Sequence, residues 1–183
     1  GIGWAVARSL PWINSSGDVD LISRALRFDD NYWDAHRSLW RDARPESADK
    51  PVYPIHWCHG ATGIFLARLQ ASKFSSEVVP EASIDRAKDA LTSNPMPRSD
   101  CLCHGALGNA MCLSLDSRSK DGPRYMRASF DRILQSTFRH GLGFPARTVP
   151  GLMFGYAGLL HGLSWAIDPS LPAILWLGAT EGP

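Results

Sequence analysis

The triplet Cys-His-Gly occurs twice in this sequence, at Cys58-His59-Gly60 and at Cys103-His104-Gly105. Both copies open onto a stretch rich in small and apolar residues, Ala61-Thr62-Gly63-Ile64-Phe65-Leu66-Ala67 and Ala106-Leu107-Gly108-Asn109-Ala110-Met111. A third Gly-x-x-Gly pair, without the Cys and His, stands at Gly155 and Gly158, and a fourth copy begins at Gly1 with its front half absent. Aligning the second glycines brings Gly1, Gly63, Gly108 and Gly158 into register at separations of 62, 45 and 50 residues. Self-similarity with that period constrains the fold more than any other feature. It fits one helical hairpin per repeat, each unit burying its apolar face against its neighbours.

Each Gly-led stretch reads as a helix: residues 1–10, 60–71, 104–116 and 151–166 are apolar on most faces, and a helix that is apolar all round is buried. Between them, residues 18–40, 83–93 and 123–139 are amphipathic, with Leu21, Ala25 and Phe28, and Phe130, Leu134 and Phe138, at helical spacing. Buried helices alternating with amphipathic ones predict an all-α fold in two concentric layers, an α/α barrel with the small-residue helices inside. Polar and Pro-rich connectors at 44–54, 93–100 and 141–150 separate the segments, and the Pro-broken tail Pro169–Leu177 is expected to be extended. No alternation is long enough to predict a sheet. The charge balance, 19 Lys plus Arg against 18 Asp plus Glu, gives no electrostatic case for nucleic acid. A hydrophobic share of 44% with 20% charged residues excludes disorder, and no apolar run approaches the ~20 residues of a membrane span. The start, Gly1-Ile2-Gly3-Trp4, lacks the basic region of a signal peptide.

The four cysteines, Cys58, Cys101, Cys103 and Cys112, admit three readings: two disulfides, reduced core thiols, or a metal site. On the third reading, Cys58, Cys103 and His104 would supply the three protein ligands of a catalytic zinc site, which keeps its fourth position open. Each would stand at the start of a buried helix, on equivalent ends of neighbouring repeats, where the helix dipole favours thiolate. Packing explains the repeated glycines but not a Cys and a His before them twice. Cys101 competes as a ligand because it lies two residues from Cys103. Cys112, two helical turns further on, reads as a buried thiol.

Trp57-Cys58-His59-Gly60, Cys103-His104-Gly105 and Pro150-Gly151-Leu152-Met153-Phe154-Gly155-Tyr156-Ala157-Gly158, in that order, resemble the LanC-like lanthionine synthetase cyclase family. Ala25–Phe28 through Asn31-Tyr32-Trp33 resembles the family's outer helix before the first Cys motif. Asp168–Leu175 resembles the closing segment of the bifunctional type 2 lanthipeptide synthetases. The resemblance implies an α/α toroid of about seven helical-hairpin repeats. Residues 1–183 would then be the C-terminal portion of a cyclase domain, with the N-terminal repeats and an acid/base histidine lying upstream of Gly1.

The reaction implied is thioether formation: peptide cysteine adds to dehydroalanine or dehydrobutyrine, giving lanthionine or methyllanthionine. Cys58, Cys103 and His104 match the family's Zn2+ ligands. His59 is the nearest candidate for the proton donor left in this chain, against the plainer reading that it shapes the mouth of the site. The family's arginine shortly before the first Cys ligand has no match in Tyr53-Pro54-Ile55-His56, where His56 is the available substitute. The resemblance further implies a dehydrated precursor peptide as partner and a dehydratase domain ahead of the cyclase. Thiolate ligands point to a reducing cytoplasm. The alternatives are a non-catalytic zinc- and thiol-binding LanC-like protein or an inactive fragment, and a helical repeat protein that binds nothing.

Overall fold

The computed structural model describes residues 2–9, 16–73, 78–142 and 149–176. Gly1, residue 10, the middle of the 141–150 connector and Leu177, all used in the repeat and element expectations, lie outside them. The chain falls into two compact units, one of Gly1–Ile55 with His59–Asn94 and the other of His56–Cys58 with Pro95–Pro183.

The first unit holds α1 (Ile2–Ser9), α2 (Ser16–Asp30), a two-stranded antiparallel hairpin of β1 (Trp33–Asp34) and β2 (Leu39–Trp40), α3 (Ala61–Ala71) and α4 (Glu81–Thr92). The second holds α5 (Ala106–Ser114), α6 (Asp121–Gln135), α7 (Tyr156–Ile167) and a short 3-10 turn at Ile174–Trp176. Helices therefore dominate the described residues, and the all-α expectation holds. The pairing is that of helical hairpins: α1 packs on α2, α3 on α4 and α5 on α6, while α1 touches α3 and α5 touches α7.

Two of the small-residue helices, α3 and α5, behave as the repeat argument requires. In α5 every residue from Ala106 to Leu113 is buried. Leu107, Met111 and Leu113 are fully buried, each worth about 1.5–3 kcal/mol as a large apolar side chain taken out of water. Glycines allow the approach: a methyl on Gly162 of α7 would sit 2.7 Å from Leu107, and one on Gly122 of α6 would sit 2.4 Å from Ser114. In the first unit Phe65, Leu66 and Leu69 of α3 meet Ile84, Ala87 and Leu91 of α4 in the core. Arg68 of α3 is buried as well. Its guanidinium donates to Asp30 at 2.8 Å and to Ser83 Oγ at 2.8 Å and lies over the Trp40 ring, which is how a charge is accommodated there.

Five sequence expectations are corrected. The helix read over 18–40 stops at Asp30. Asp34 accepts from the backbone N–H groups of His36 and Arg37 and from Tyr53 OH, an Asx turn that competes with helix and closes the hairpin instead. The buried stripe of α2 is Ile22 and Leu26, whereas Phe28 is 54% exposed. On α6 it is Gly122, Met126 and Ser129, with Leu134 exposed. In both helices the fully buried row is the neighbour of the expected one, whose Leu21, Ala25, Phe130 and Phe138 are half-buried, and on α6 the buried row includes the polar Ser129. α7 is apolar all round yet exposes Tyr156, Leu160, Leu163 and Ile167. The tail ends in a 3-10 turn rather than a purely extended segment.

Candidate metal centre

Three loops of one design lead into α3, α5 and α7. In each, the first helical residue donates its N–H to a carbonyl seven positions back: Ala61 to Pro54 (3.1 Å), Ala106 to Ser99 (2.9 Å) and Tyr156 to Val149 (2.8 Å). The helices are capped by Gly60, Gly105 and Gly155, none of which offers a side-chain cap. Gly60 has φ of 110°, and a methyl there would meet the Pro54 carbonyl oxygen at 2.0 Å. Only glycine fits such a turn. In matched positions the loops carry Cys58, Cys103 and Met153, then His59, His104 and Phe154. Two copies supply ligand chemistry and the third does not.

Backbone hydrogen bonds lace the equivalent positions together. Trp57 N–H donates to Cys103 O at 3.1 Å, and Cys103 N–H donates to Met153 O at 3.0 Å. The Trp57 indole N–H reaches Leu175 O at 3.2 Å. Cys58, though distant in sequence, is thereby held beside Cys103. The two Sγ atoms and one imidazole nitrogen of His104 lie within 4.8 Å of one another. A tetrahedral zinc ion with Zn–S about 2.3 Å and Zn–N about 2.0–2.1 Å holds its ligand atoms about 3.5–3.8 Å apart. Movements of about 1 Å suffice to close the set. Cys58 is exposed, His104 is half-buried and Cys103 is buried, an arrangement with one open side.

The electrostatics favour a cation. Burial, then the hydrogen bond and the charge of Cys58, push the Cys103 thiol up to about 12. Two thiols side by side cannot both ionise cheaply unless positive charge sits between them, so the donor chemistry fits a thiophilic ion. Cys101 is buried, its Sγ accepts the His104 backbone N–H at 3.4 Å, and the cluster within 4.8 Å is made by Cys58, Cys103 and His104. Cys112 is fully buried in α5, and burial alone raises its pKa.

The expected site residues are distributed unevenly. Cys58, Cys103 and His104 come together. His59 is half-buried next to Cys58 in the chain, in the first unit, where it adds a little to the effect of Arg44 in holding the Asp42 carboxyl low. The His56 ring packs 4.8 Å from that of His104, whose other neighbour is Phe154 at 5.1 Å. His161 is half-buried on α7, its pKa lowered by burial and its Nε2 buried without a hydrogen-bond partner among the described residues. Trp165 is buried, whereas Trp4 and Trp57 are half-buried. Sequence reasoning missed Asp100, which is fully buried and paired with Arg132 and Arg139. The available signal was a carboxylate where the other two loop copies carry Ile55 and Pro150.

The sequence model of the lanthionine synthetase C-like proteins matches residues 1–179. The lacticin 481/lactococcin biosynthesis protein LcnDR2 of Lactococcus lactis subsp. lactis is 28% identical over 146 residues, 69% of this chain and 15% of that protein. A zebrafish (Danio rerio) protein named glutathione S-transferase LANCL1 is 30% identical over 119 residues, 63% of this chain and 29% of that protein. The match spans less than a third of either relative's length.

Proposed function

The chain belongs to the lanthionine synthetase C-like family, and we propose that it is the zinc-binding, C-terminal portion of an α/α-toroid cyclase that makes lanthionine and methyllanthionine thioethers. The observation that carries this reading is the convergence of Cys58, Cys103 and His104, from two copies of one loop, to within 4.8 Å. The lantibiotic-biosynthesis role named for the Lactococcus relative supports it. The partners are a dehydrated precursor peptide and, in the longer protein, a dehydratase domain. The location is the reducing cytoplasm.

Zn2+ bound here would lower the pKa of a peptide thiol entering the open position. The residues of this chain do the rest. Cys58, Cys103 and His104 hold the ion, and the exposed side of Cys58 admits the peptide. The substrate sulfur forms a C–S bond to the β-carbon of the dehydro residue, the double-bond electrons move onto the α-carbon side, and a proton is delivered there. His59, one residue from a ligand, is the donor we assign within this chain.

A second reading has its own observation, the transferase name of the zebrafish relative: a zinc- and thiol-binding protein that does not cyclise peptides. Zinc analysis followed by incubation with dehydrated precursor peptide separates them. The first reading expects about one zinc per chain, by the three-ligand rule, and thioether rings in the protein that carries this chain. Bound zinc with uncyclised peptide would favour the second. A folded chain without zinc would refute both. Within the cyclase reading, His59→Phe is expected to keep zinc and slow ring closure about 100-fold. Full activity would return His59 to a shaping role.

A further inference from the structure

We propose that Asp100 is a positioning residue for the metal centre, a buried carboxylate that fixes the Cys101–His104 loop through Arg132 and Arg139. The proposal rests on the reading of Cys58, Cys103 and His104 as ligands. Asp100 is fully buried and stands three and four residues before the ligands Cys103 and His104. A carboxylate in such a place persists only when paired and hydrogen-bonded, and here the pairing is exhaustive. Its Oδ2 accepts the Arg139 backbone N–H at 2.7 Å and the Arg139 Nε–H at 3.1 Å. Its Oδ1 accepts Arg139 Nη2 at 3.0 Å and also Arg132 Nη2. The Asp100 N–H donates to Arg139 O at 2.7 Å, so the backbones of 100 and 139 are tied in both directions.

These ties act on the ligands. Arg132 also donates to the carbonyls of Pro97 (3.2 Å) and Ser99 (3.4 Å), at the start of the loop. Ser99 Oγ donates to the His104 carbonyl at 2.9 Å, at its end. The stretch clamped by Asp100 runs on through Gly141. A methyl on Gly141 would lie 3.0 Å from Cys101 Sγ and 3.4 Å from both the Cβ and the Nδ1 of His104. The clamped segment is therefore a wall against the side chain of one ligand and against the thiol that accepts that ligand's backbone N–H. The other buried aspartates with an arginine partner, Asp42 with Arg44 and Asp116 with Arg118, join residues two apart and close only a local turn. Asp100 instead joins segments 32 and 39 residues away, and only the loop copy that carries two ligands has it.

The test compares Asp100→Asn with Asp116→Asn in the 183-residue chain. The probes are Zn2+, measured by chelator competition, and Co2+, read by its thiolate charge-transfer and d–d bands. Both variants lose an Asp–Arg pair, so both lower the unfolding midpoint. Only Asp100→Asn is expected to weaken Zn2+ binding, by about 10–100-fold, and to alter the Co2+ spectrum, as removal of an outer partner does. If Asp100→Asn does not fold, Arg139→Gln, which leaves Asp100 paired with Arg132, is expected to give a smaller loss of affinity at nearly parental stability. Parental affinity and spectrum in the folded variant, or equal losses in Asp116→Asn, would overturn the proposal. A folded parent that binds neither ion would overturn the ligand assignment itself, an outcome visible before any variant is made.

Discussion

At the scale of single residues, the four cysteines divide by environment rather than by spacing. Cys58 and Cys103 face one another across two loop copies, Cys101 is spent on the His104 amide, and Cys112 is sealed inside α5. Substitution should separate them. Cys103→Ala is expected to lose zinc outright, whereas Cys112→Ala keeps it and loses about 1 kcal/mol, the order of one buried methylene-sized group; metal analysis and urea unfolding on the same preparations check both. The pH dependence has a definite sign. Burial raises the Cys112 pKa above its ordinary value, so the folded chain keeps a proton that the unfolded chain releases above about pH 8.5. The stability contributed by this thiol is complete below that pH and is lost as pH rises further. Unfolding midpoints of the metal-free chain should fall between about pH 8.5 and 10.5, and less steeply in Cys112→Ala. An identical slope in the two proteins would show that Cys112 takes no part.

At the scale of elements, the loop that precedes each Gly-capped helix is the repeating part, and glycine is what it cannot do without. Gly108 of α5 and Gly158 of α7 make the same approach: an added methyl would meet the Leu102 carbonyl oxygen at 1.8 Å and the Leu152 carbonyl oxygen at 2.0 Å. Backbone atoms cannot swing aside as a side chain can, so Gly108→Ala is expected to cost about 3 kcal/mol or more. Gly151 has open space around it, and Gly151→Ala should stay within about 0.5 kcal/mol of the parent. Equal effects in urea titrations would contradict this account of the loop. The repeat was legible because each of these contacts demands one residue type at one position. The amphipathic helices were less so. In α2 two neighbouring rows are apolar and in α6 the buried row includes the polar Ser129, so only packing against α1 and α5 selects Ile22 with Leu26 and Met126 with Ser129 for burial.

At the scale of the molecule, the second unit leaves an apolar row along α7, with Leu160 65% and Ile167 80% exposed beside Tyr156 and Leu163. An uncovered apolar face of that length promotes association. The isolated chain is expected to self-associate in sedimentation velocity, and Leu160→Glu with Ile167→Glu to reduce it; a monodisperse monomer at all concentrations would exclude this. The sequence by itself determined the helical-hairpin repeat, the glycine turns and the identities of the candidate metal ligands. Those depend on residue type and spacing, which sterics and ligand chemistry read directly. Only the tertiary structure decided which rows of α2 and α6 are buried, that Cys58 arrives beside Cys103, and that Asp100 joins segments 32 and 39 residues apart. Each of those outcomes depends on which distant segment arrives alongside, and no local pattern of residues carries that information.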